Sequence, residues 1–117
     1  MAAKFITQYG EINISDDVLA TIAGMATTEC YGLVGMASKN AKDGLVELLK
    51  KDNLAKGVKV TADGEEIIVD LYIIVEFGTK ISTVADNIIS KVKYTLESFT
   101  GLKVKKVNIN VQGVRVN

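Results

Sequence analysis

The sequence contains no histidine, no proline and no tryptophan, and it has a single cysteine, Cys30. Without histidine the chain lacks a Ser-His-Asp or Cys-His catalytic pair, and it offers no imidazole as a metal ligand or as a general base near neutral pH. One cysteine excludes an internal disulfide bond and a thiolate zinc cage. We therefore expect no catalytic residues, no bound cofactor and no metal site, and we expect that the protein is not an enzyme.

A long hydrophobic run is also missing. The most apolar segment, residues 67–75, is interrupted by Asp70 and falls far short of the roughly 20 residues that a membrane helix needs. The first residues contain no apolar stretch of the length that a signal peptide requires. Net charge is formally zero, because 14 Lys and Arg residues balance 14 Asp and Glu residues. We expect a cytoplasmic protein that does not insert into a membrane, and no overall field that attracts nucleic acid.

Two amphipathic helices are predicted from the apolar spacing. Ser15 is a good N-cap for the first helix, and Gly32 is positioned to end it. The second helix is predicted to begin near Ser82 or Thr83 and to end at Gly101. The apolar residues of the first helix are Val18, Leu19, Ile22, Ala23, Met25 and Ala26. Those of the second helix are Val84, Ile88, Val92, Leu96 and Phe99.

Strands are predicted before and after the second helix. Residues 58–62 alternate between polar and apolar, the dipeptide 63–64 (Asp-Gly) is a strong hairpin turn, and residues 66–77 form a long β run. The last strand slips out of phase at Lys105-Lys106 and again at Gly113, so we expect a turn or a β-bulge at each point. One face of the long run is expected to be buried: Ile67, Val69, Leu71, Ile73, Val75 and Phe77.

These elements predict one domain, residues 1–117, of the α+β class. A strand at residues 11–14 precedes the first helix, and a short amphipathic helix is predicted within residues 42–51. We expect a two-layer α/β sandwich in which two main helices cover one face of a small, mostly antiparallel sheet of about four strands. The order of the elements is β-α-β-β-α-β, with the short helix after the first main helix.

The second face of the sheet is the candidate interaction surface. Ile68, Tyr72 and Ile74 alternate with polar residues on the long strand and are more apolar than a hydrated face needs. The last strand adds Asn108, Asn110 and Gln112 to the candidate surface. We hypothesise that this face, or an unprotected edge strand beside it, docks a protein partner or a second copy of the chain.

Two other functions stay open. A small RNA-binding module would use the same three polar residues of the last strand and the basic C-terminal residues, but the face offers only Tyr72 for base stacking. Gly32 and Gly35 form a GxxG, although the Leu and Val between them favour a helix end followed by a buried extended segment. A small-molecule carrier would hold its ligand in an apolar cavity between the layers.

Six segments carry a family resemblance, and they are residues 9–15, 18–24, 30–36, 70–78, 100–102 and 107–114. In their order and spacing they resemble the alkaline-shock, Gls-type general stress protein family of mainly Gram-positive bacteria, also described as envelope stress response proteins. The chain looks like a short member of that family. The resemblance implies a small, non-catalytic cytoplasmic protein tied to cell-envelope stress. It also implies a protein partner, which for some members is an anchoring protein that holds them at the inner face of the membrane.

Overall fold

The computed structural model describes residues 3–38, 49 and 51–116. Within these residues six strands, two α-helices and one 3₁₀ helix follow one another along the chain. The elements are β1 (Ala3–Thr7), β2 (Gly10–Ile14), α1 (Asp16–Thr28), β3 (Leu33–Met36), the 3₁₀ helix (Lys51–Gly57), β4 (Val58–Asp63), β5 (Glu66–Glu76), α2 (Ile81–Thr100) and β6 (Lys103–Arg115). The α+β class is confirmed. The short helix predicted within residues 42–51 lies almost wholly outside the described residues.

Strand β5 is the centre of a four-stranded sheet. β4 pairs antiparallel with the first half of β5 through a hairpin in which Asp63 lies opposite Glu66, as predicted. β3 pairs antiparallel with the last part of β5 on the same side. β6 occupies the other side and runs parallel to β5 along its whole length. The sheet is therefore mixed rather than mostly antiparallel, because α2 carries the chain back across the sheet before β6 begins.

Both helices pack on one face of this sheet and close the core. The predicted alternation along β5 is confirmed between Ile67 and Val75, where every second side chain is fully buried. Each of these large aliphatic side chains contributes about 1.5–3 kcal/mol by leaving water. The buried residues that the helices contribute are Leu19, Ala23 and Ala26 from α1 and Val84, Ile88, Val92 and Leu96 from α2.

Two of the four helix ends, the start of α1 and the end of α2, follow the predicted capping. The Val18 N–H donates to the Ser15 hydroxyl oxygen at 3.3 Å, which confirms the predicted N-cap of α1. Gly101 ends α2 with a φ of +77°, also as predicted. At the start of α2 the N-cap residue is Lys80, which makes no side-chain capping hydrogen bond. Gly32 does not end the first helix, because α1 already ends at Thr28. Gly32 has a φ of +86° and instead turns the chain into β3.

The two predicted irregularities of the last strand are β-bulges in β6. Ile67 of β5 pairs with Val104, and the next residue, Ile68, pairs with Lys106, so that Lys105 is the extra residue. The second bulge leaves Gln112 as the extra residue in the same way, between the partners of Ile73 and Ile74. Between the bulges, residues 106–111 of β6 pair with β5 in an unbroken register.

Only one of the two strands of the N-terminal hairpin was predicted. The predicted strand at residues 11–14 is β2, but it pairs with β1, which the sequence did not indicate, in a separate two-stranded sheet. Ala3 is buried in the core, and the Phe5 ring lies next to Gly101 at the end of α2. These contacts attach the hairpin to the end of the domain where α2 finishes.

Candidate functional site

The predicted interaction surface lies on the open face, the face of the four-stranded sheet opposite the helices. Ile68 and Tyr72 are half-buried there. The Asn108 amide nitrogen donates to the Asp70 carboxylate at 2.8 Å, and the Asn110 amide nitrogen donates to the Leu71 carbonyl oxygen at 3.2 Å. The sheet thus brings these residues together on neighbouring strands. Each asparagine thereby donates one hydrogen bond within the chain.

Two members of the predicted surface are placed differently from the expectation. Ile74 is 1% exposed, so its expected exposure on the open face is wrong. Alternation along β5 shows on which face Ile74 lies, but it cannot show what packs over Ile74. At this end of the sheet Ala37, which is also buried, continues β3 beside Tyr72. Gln112 is exposed, but it is the extra residue of a bulge and does not continue the row of Asn108 and Asn110.

The basic C-terminal residues do not form one patch. Lys105 and Arg115 lie ten residue steps apart on β6, which separates them by about 33 Å. Lys91 lies on a different element, α2, on the helix side of the sheet. The GxxG at residues 32–35 has both of its glycines buried. Leu33 is half-buried and Val34 is 37% exposed, so the segment is only partly buried, as strand β3. The buried glycines nevertheless favour this strand over a loop that clamps a nucleic-acid backbone.

An open apolar site lies between the helices, where the sequence did not indicate one. α1 and α2 run antiparallel, since Glu29 at the end of α1 lies beside Lys91 in the middle of α2 and Gly32 lies against Val84 near the start of α2. Between them runs a groove of about 470 Å³, which we call the helix groove. Its lining residues are Thr21, Ile22, Met25, Ala26, Glu29, Lys91, Tyr94, Thr95, Ser98 and Phe99.

Aromatic and sulfur-containing side chains stand exposed along the helix groove. Phe99 is 77% exposed, Tyr94 is 71% exposed and Met25 is 41% exposed. The expectation that Phe99 and Met25 belong to buried stripes is therefore wrong. Helical spacing aligns Phe99 with the buried residues of α2, but it cannot show that the stripe extends beyond the surface against which it packs. Exposed apolar area of this kind marks interaction sites.

Polar groups close one end of the helix groove. The Lys91 Nζ lies 3.4 Å from Glu29 Oε1, and both side chains are about half exposed, so this ion pair adds little stability. The Cys30 thiol donates to the Ala26 carbonyl oxygen at 3.7 Å. Burial raises the pKa of this thiol, Lys91 partly opposes the shift and Glu29 adds to it. The thiol is therefore protonated at neutral pH, which disfavours nucleophilic chemistry there.

A second apolar recess lies where β5 ends and the chain turns toward α2. Phe77, Ile81 and Val114 line a recess of about 410 Å³. Phe77 is 70% exposed, which corrects the expectation that it continues the buried face of β5. The cause is local, because β5 ends at Glu76 and Gly78, with a φ of +95°, turns the chain away toward α2.

The described part of the chain also bears on metal binding and membrane insertion. Its residues contain no group of three or more His, Cys, Asp or Glu side chains that could hold a metal ion. Neither of its two α-helices combines the length and the apolar character that crossing a membrane requires.

Solved structures show a fold similar to that of this chain. A structure of the MamM-CTD covers 86% of this chain and 95% of its own chain with a TM-score of 0.52 at 10% identity. A second MamM-CTD structure covers 83% of this chain and 95% of its own with a TM-score of 0.50 at 11% identity. At this level of identity the similarity concerns the fold alone.

Similar sequences extend over the whole chain. YloU of Bacillus subtilis (strain 168) is 56% identical over 117 residues, which cover 99% of this chain and 98% of YloU. Spy1614 of Streptococcus pyogenes serotype M6 is 48% identical over 117 residues, which cover 99% of this chain and 97% of Spy1614. A stress response regulator gls24 homolog of Streptococcus pyogenes serotype M3 is 30% identical over 109 residues, which are 91% of this chain and 59% of that protein. Residues 4–116 match the alkaline-shock protein family, which is described by a "cell envelope-related function", and the chain therefore belongs to that family.

Proposed function

We propose that this protein is a non-enzymatic interaction protein of the cell-envelope stress response, and that it binds a helical segment of a partner protein in the helix groove. The observation that carries the proposal is the exposure of Tyr94, Phe99 and Met25 along one apolar groove. We propose further that it acts in the cytoplasm, or at the inner face of the membrane when a partner holds it there. The name of the gls24 homolog supports a role in stress regulation.

The dimensions of the helix groove fit a short amphipathic helix. From Thr21 to Glu29 the groove follows eight residue steps of α1, or about 12 Å, which is the length of about two helical turns. An amphipathic helix of that length presents two or three apolar anchors at i, i+3 or i+4, and i+7. Tyr94 and Phe99 would supply large aromatic contacts, which dominate binding energy at interfaces. Thr95 and Ser98 line the same groove and carry hydroxyl groups that can hydrogen-bond to polar groups of the partner. The Thr21 hydroxyl donates to the Asp17 carbonyl oxygen at 2.8 Å and can still accept.

A non-enzymatic role agrees with the chemistry of the residues that are present. The chain has no histidine, and burial raises the pKa of its one thiol. On the open face, Asn108 and Asn110 each donate one hydrogen bond within the chain. Contact with another molecule is the activity that these side chains support best.

Affinity capture from native lysate tests the proposal with two matched variants. Phe99→Glu places a charge in the helix groove, whereas Tyr72→Glu places the same charge on the open face. Neither side chain is fully buried, so we expect both variants to remain folded by circular dichroism. The expected result is a specific partner that is lost with Phe99→Glu and retained with Tyr72→Glu. Loss with Tyr72→Glu alone would assign the interaction to the open face instead.

The volume of the helix groove favours one second candidate, a small apolar ligand. About 470 Å³ falls within the range of small-molecule sites. Native mass spectrometry of the purified protein separates the two candidates. A copurified ligand of constant mass, absent from Phe99→Glu, would favour a carrier over a docking module.

A further inference from the structure

β6 forms a long open edge of the four-stranded sheet. It extends over 13 residues, and among the described strands it pairs only with β5. The strands at the opposite edge are much shorter, with 4 residues in β3 and 6 in β4. Folded proteins usually shorten, charge, bend or cover an exposed edge, because its unpaired backbone groups can pair with another strand.

Both ends of β6 carry such protection. Lys103, Lys105 and Lys106 charge the beginning of the strand, and the first bulge bends it at Lys105. The Val104 N–H donates to Glu97 Oε2 of α2 at 3.0 Å, so a side chain occupies this backbone donor. The second bulge and Arg115 protect the other end. The charges and bulges at the two ends therefore restrict any added strand to the middle of β6.

The central segment of β6, residues 107–111, has none of these devices. Its sequence is Val-Asn-Ile-Asn-Val, without a charge, a glycine or a proline. It lies between the bulges in unbroken register with β5, so its outer edge runs without a bulge over about 13 Å. Val107 is buried at the margin of the core, and Ile109 and Val111 are only partly buried against it. A further strand would extend the sheet and cover these side chains.

We propose that the central segment of β6 pairs antiparallel with the same segment of a second copy, around a two-fold axis at Ile109. The pairing would join two four-stranded sheets into one continuous sheet. It is a property beyond the proposed partner docking and uses a different surface. The occupant is a second copy because the segment is complementary to itself in sequence and in charge.

The self-complementarity fixes the register. With the axis at Ile109, Val107 lies opposite the partner's Val111, and Asn108 lies opposite the partner's Asn110. Lys106 then lies opposite the partner's Gln112 and Lys105 opposite the partner's Gly113, so neither of the two lysines next to the central segment faces a like charge. Moving the axis by one residue to Asn110 places Val107 opposite the partner's Gly113, beyond the second bulge, and ends the pairing of each residue with its own kind. A net charge of zero adds no overall repulsion between copies.

Cysteine cross-linking tests the register in a Cys30→Ser background. Residues directly opposite each other in an antiparallel pair have Cα atoms about 4.5–5.5 Å apart, within the range of a disulfide bond. Ile109→Cys lies opposite its own copy and is expected to form a disulfide-linked dimer under mild oxidation. Val107→Cys lies about 14 Å from its own copy in this register, beyond disulfide reach, and is the matched control. Equal cross-linking of the two variants, or none for Ile109→Cys, would overturn the proposal.

Sedimentation equilibrium tests the association without any cysteine. A strand pairing this short predicts a reversible dimer in the micromolar range or weaker. Asn108→Lys combined with Asn110→Lys puts like charges opposite each other twice, and we expect it to raise the dimer dissociation constant by about tenfold or more. Asn108→Ser combined with Asn110→Ser is the uncharged control. A wild type that stays monomeric at high protein concentration refutes the proposal, and so does a dimer that survives the lysines but is lost with Phe99→Glu.

Discussion

Gly32→Ala is expected to be among the most destabilising single-methyl additions to this protein. Gly32 has a φ of +86°, and an L-residue in that region costs about 1–2 kcal/mol. A Cβ at this position would lie 2.6 Å from Val84 Cγ2 and 3.3 Å from Thr79 Cγ2. Val84 cannot easily rotate away, because a β-branched side chain in a helix has one strongly preferred rotamer. Overpacking of this kind costs about 1–3 kcal/mol, for a total of about 2–5 kcal/mol.

Gly78→Ala is a control that separates the steric cost of Gly32→Ala from its backbone cost. Gly78 has a φ of +95°, close to that of Gly32, but a Cβ there meets no described heavy atom within 4 Å. It should therefore lose only the backbone contribution of about 1–2 kcal/mol. Urea denaturation followed by circular dichroism measures both variants against the wild type, with the midpoint shifting at constant slope. Equal destabilisation of the two variants would refute the packing of Gly32 against Val84.

Three further changes test the fold and the thiol. Ser15→Ala removes the N-cap of α1 and should lower the unfolding free energy by about 1 kcal/mol, measured in the same denaturant series. Leu96→Ala should cost about 2–5 kcal/mol because this side chain is fully buried, whereas Phe99→Ala, three residues later on the same helix, should change stability by less than about 0.5 kcal/mol. Burial raises the pKa of Cys30 above its ordinary value of 9.0, so the folded state holds the thiol proton more tightly than the unfolded state does. That stabilisation is fully present below the unfolded pKa and is lost as the pH rises through the folded pKa, so the stability difference between wild type and Cys30→Ala should shrink above about pH 9. A difference that grows with pH in denaturation at pH 7 and pH 10 would contradict this sign.

Local rules predicted the elements that local physics controls. The cap at Ser15, the helix end at Gly101 and the two bulges of β6 each depend on a few neighbouring residues, and all were confirmed. The strand β1 was missed because its side chains are mostly exposed, so that no alternation between buried and solvated positions marks it. Gly32 was predicted to end a helix because the sequence shows a glycine, which can adopt a positive φ. The sequence does not show that Gly32 lies against Val84, which is distant along the chain.

The helix groove could not be predicted for a different reason. Met25 and Phe99 lie far apart in the chain, and each has the spacing of a core residue on its own helix. Whether such a residue is buried depends on how far the opposing surface extends, which is a property of the packed helix pair. The open edge of β6 is similar, because a strand becomes an edge only through its position in the sheet. Alternation along β5 predicted the face on which Ile68 and Tyr72 lie, but it did not predict the burial of Ile74.

The two proposed contacts would act together if both form. A two-fold axis through Ile109 in a continuous sheet is perpendicular to that sheet, so the helices of both copies lie on the same side. The two helix grooves of a dimer then open toward the same side, and the dimer can engage two partner molecules held on one surface.

Such a dimer should show avidity. Binding at one groove raises the effective concentration at the second, which can strengthen overall binding by about 100-fold or more without a new contact. The measurement compares a partner immobilised at high density with the same partner free in solution. The Asn108→Lys and Asn110→Lys double variant should bind the dense surface much more weakly than the wild type and bind the free partner equally well. Equal loss in both formats would mean that the lysines damage the groove itself, and equal binding in both would mean that pairing of β6 does not arrange the two grooves side by side.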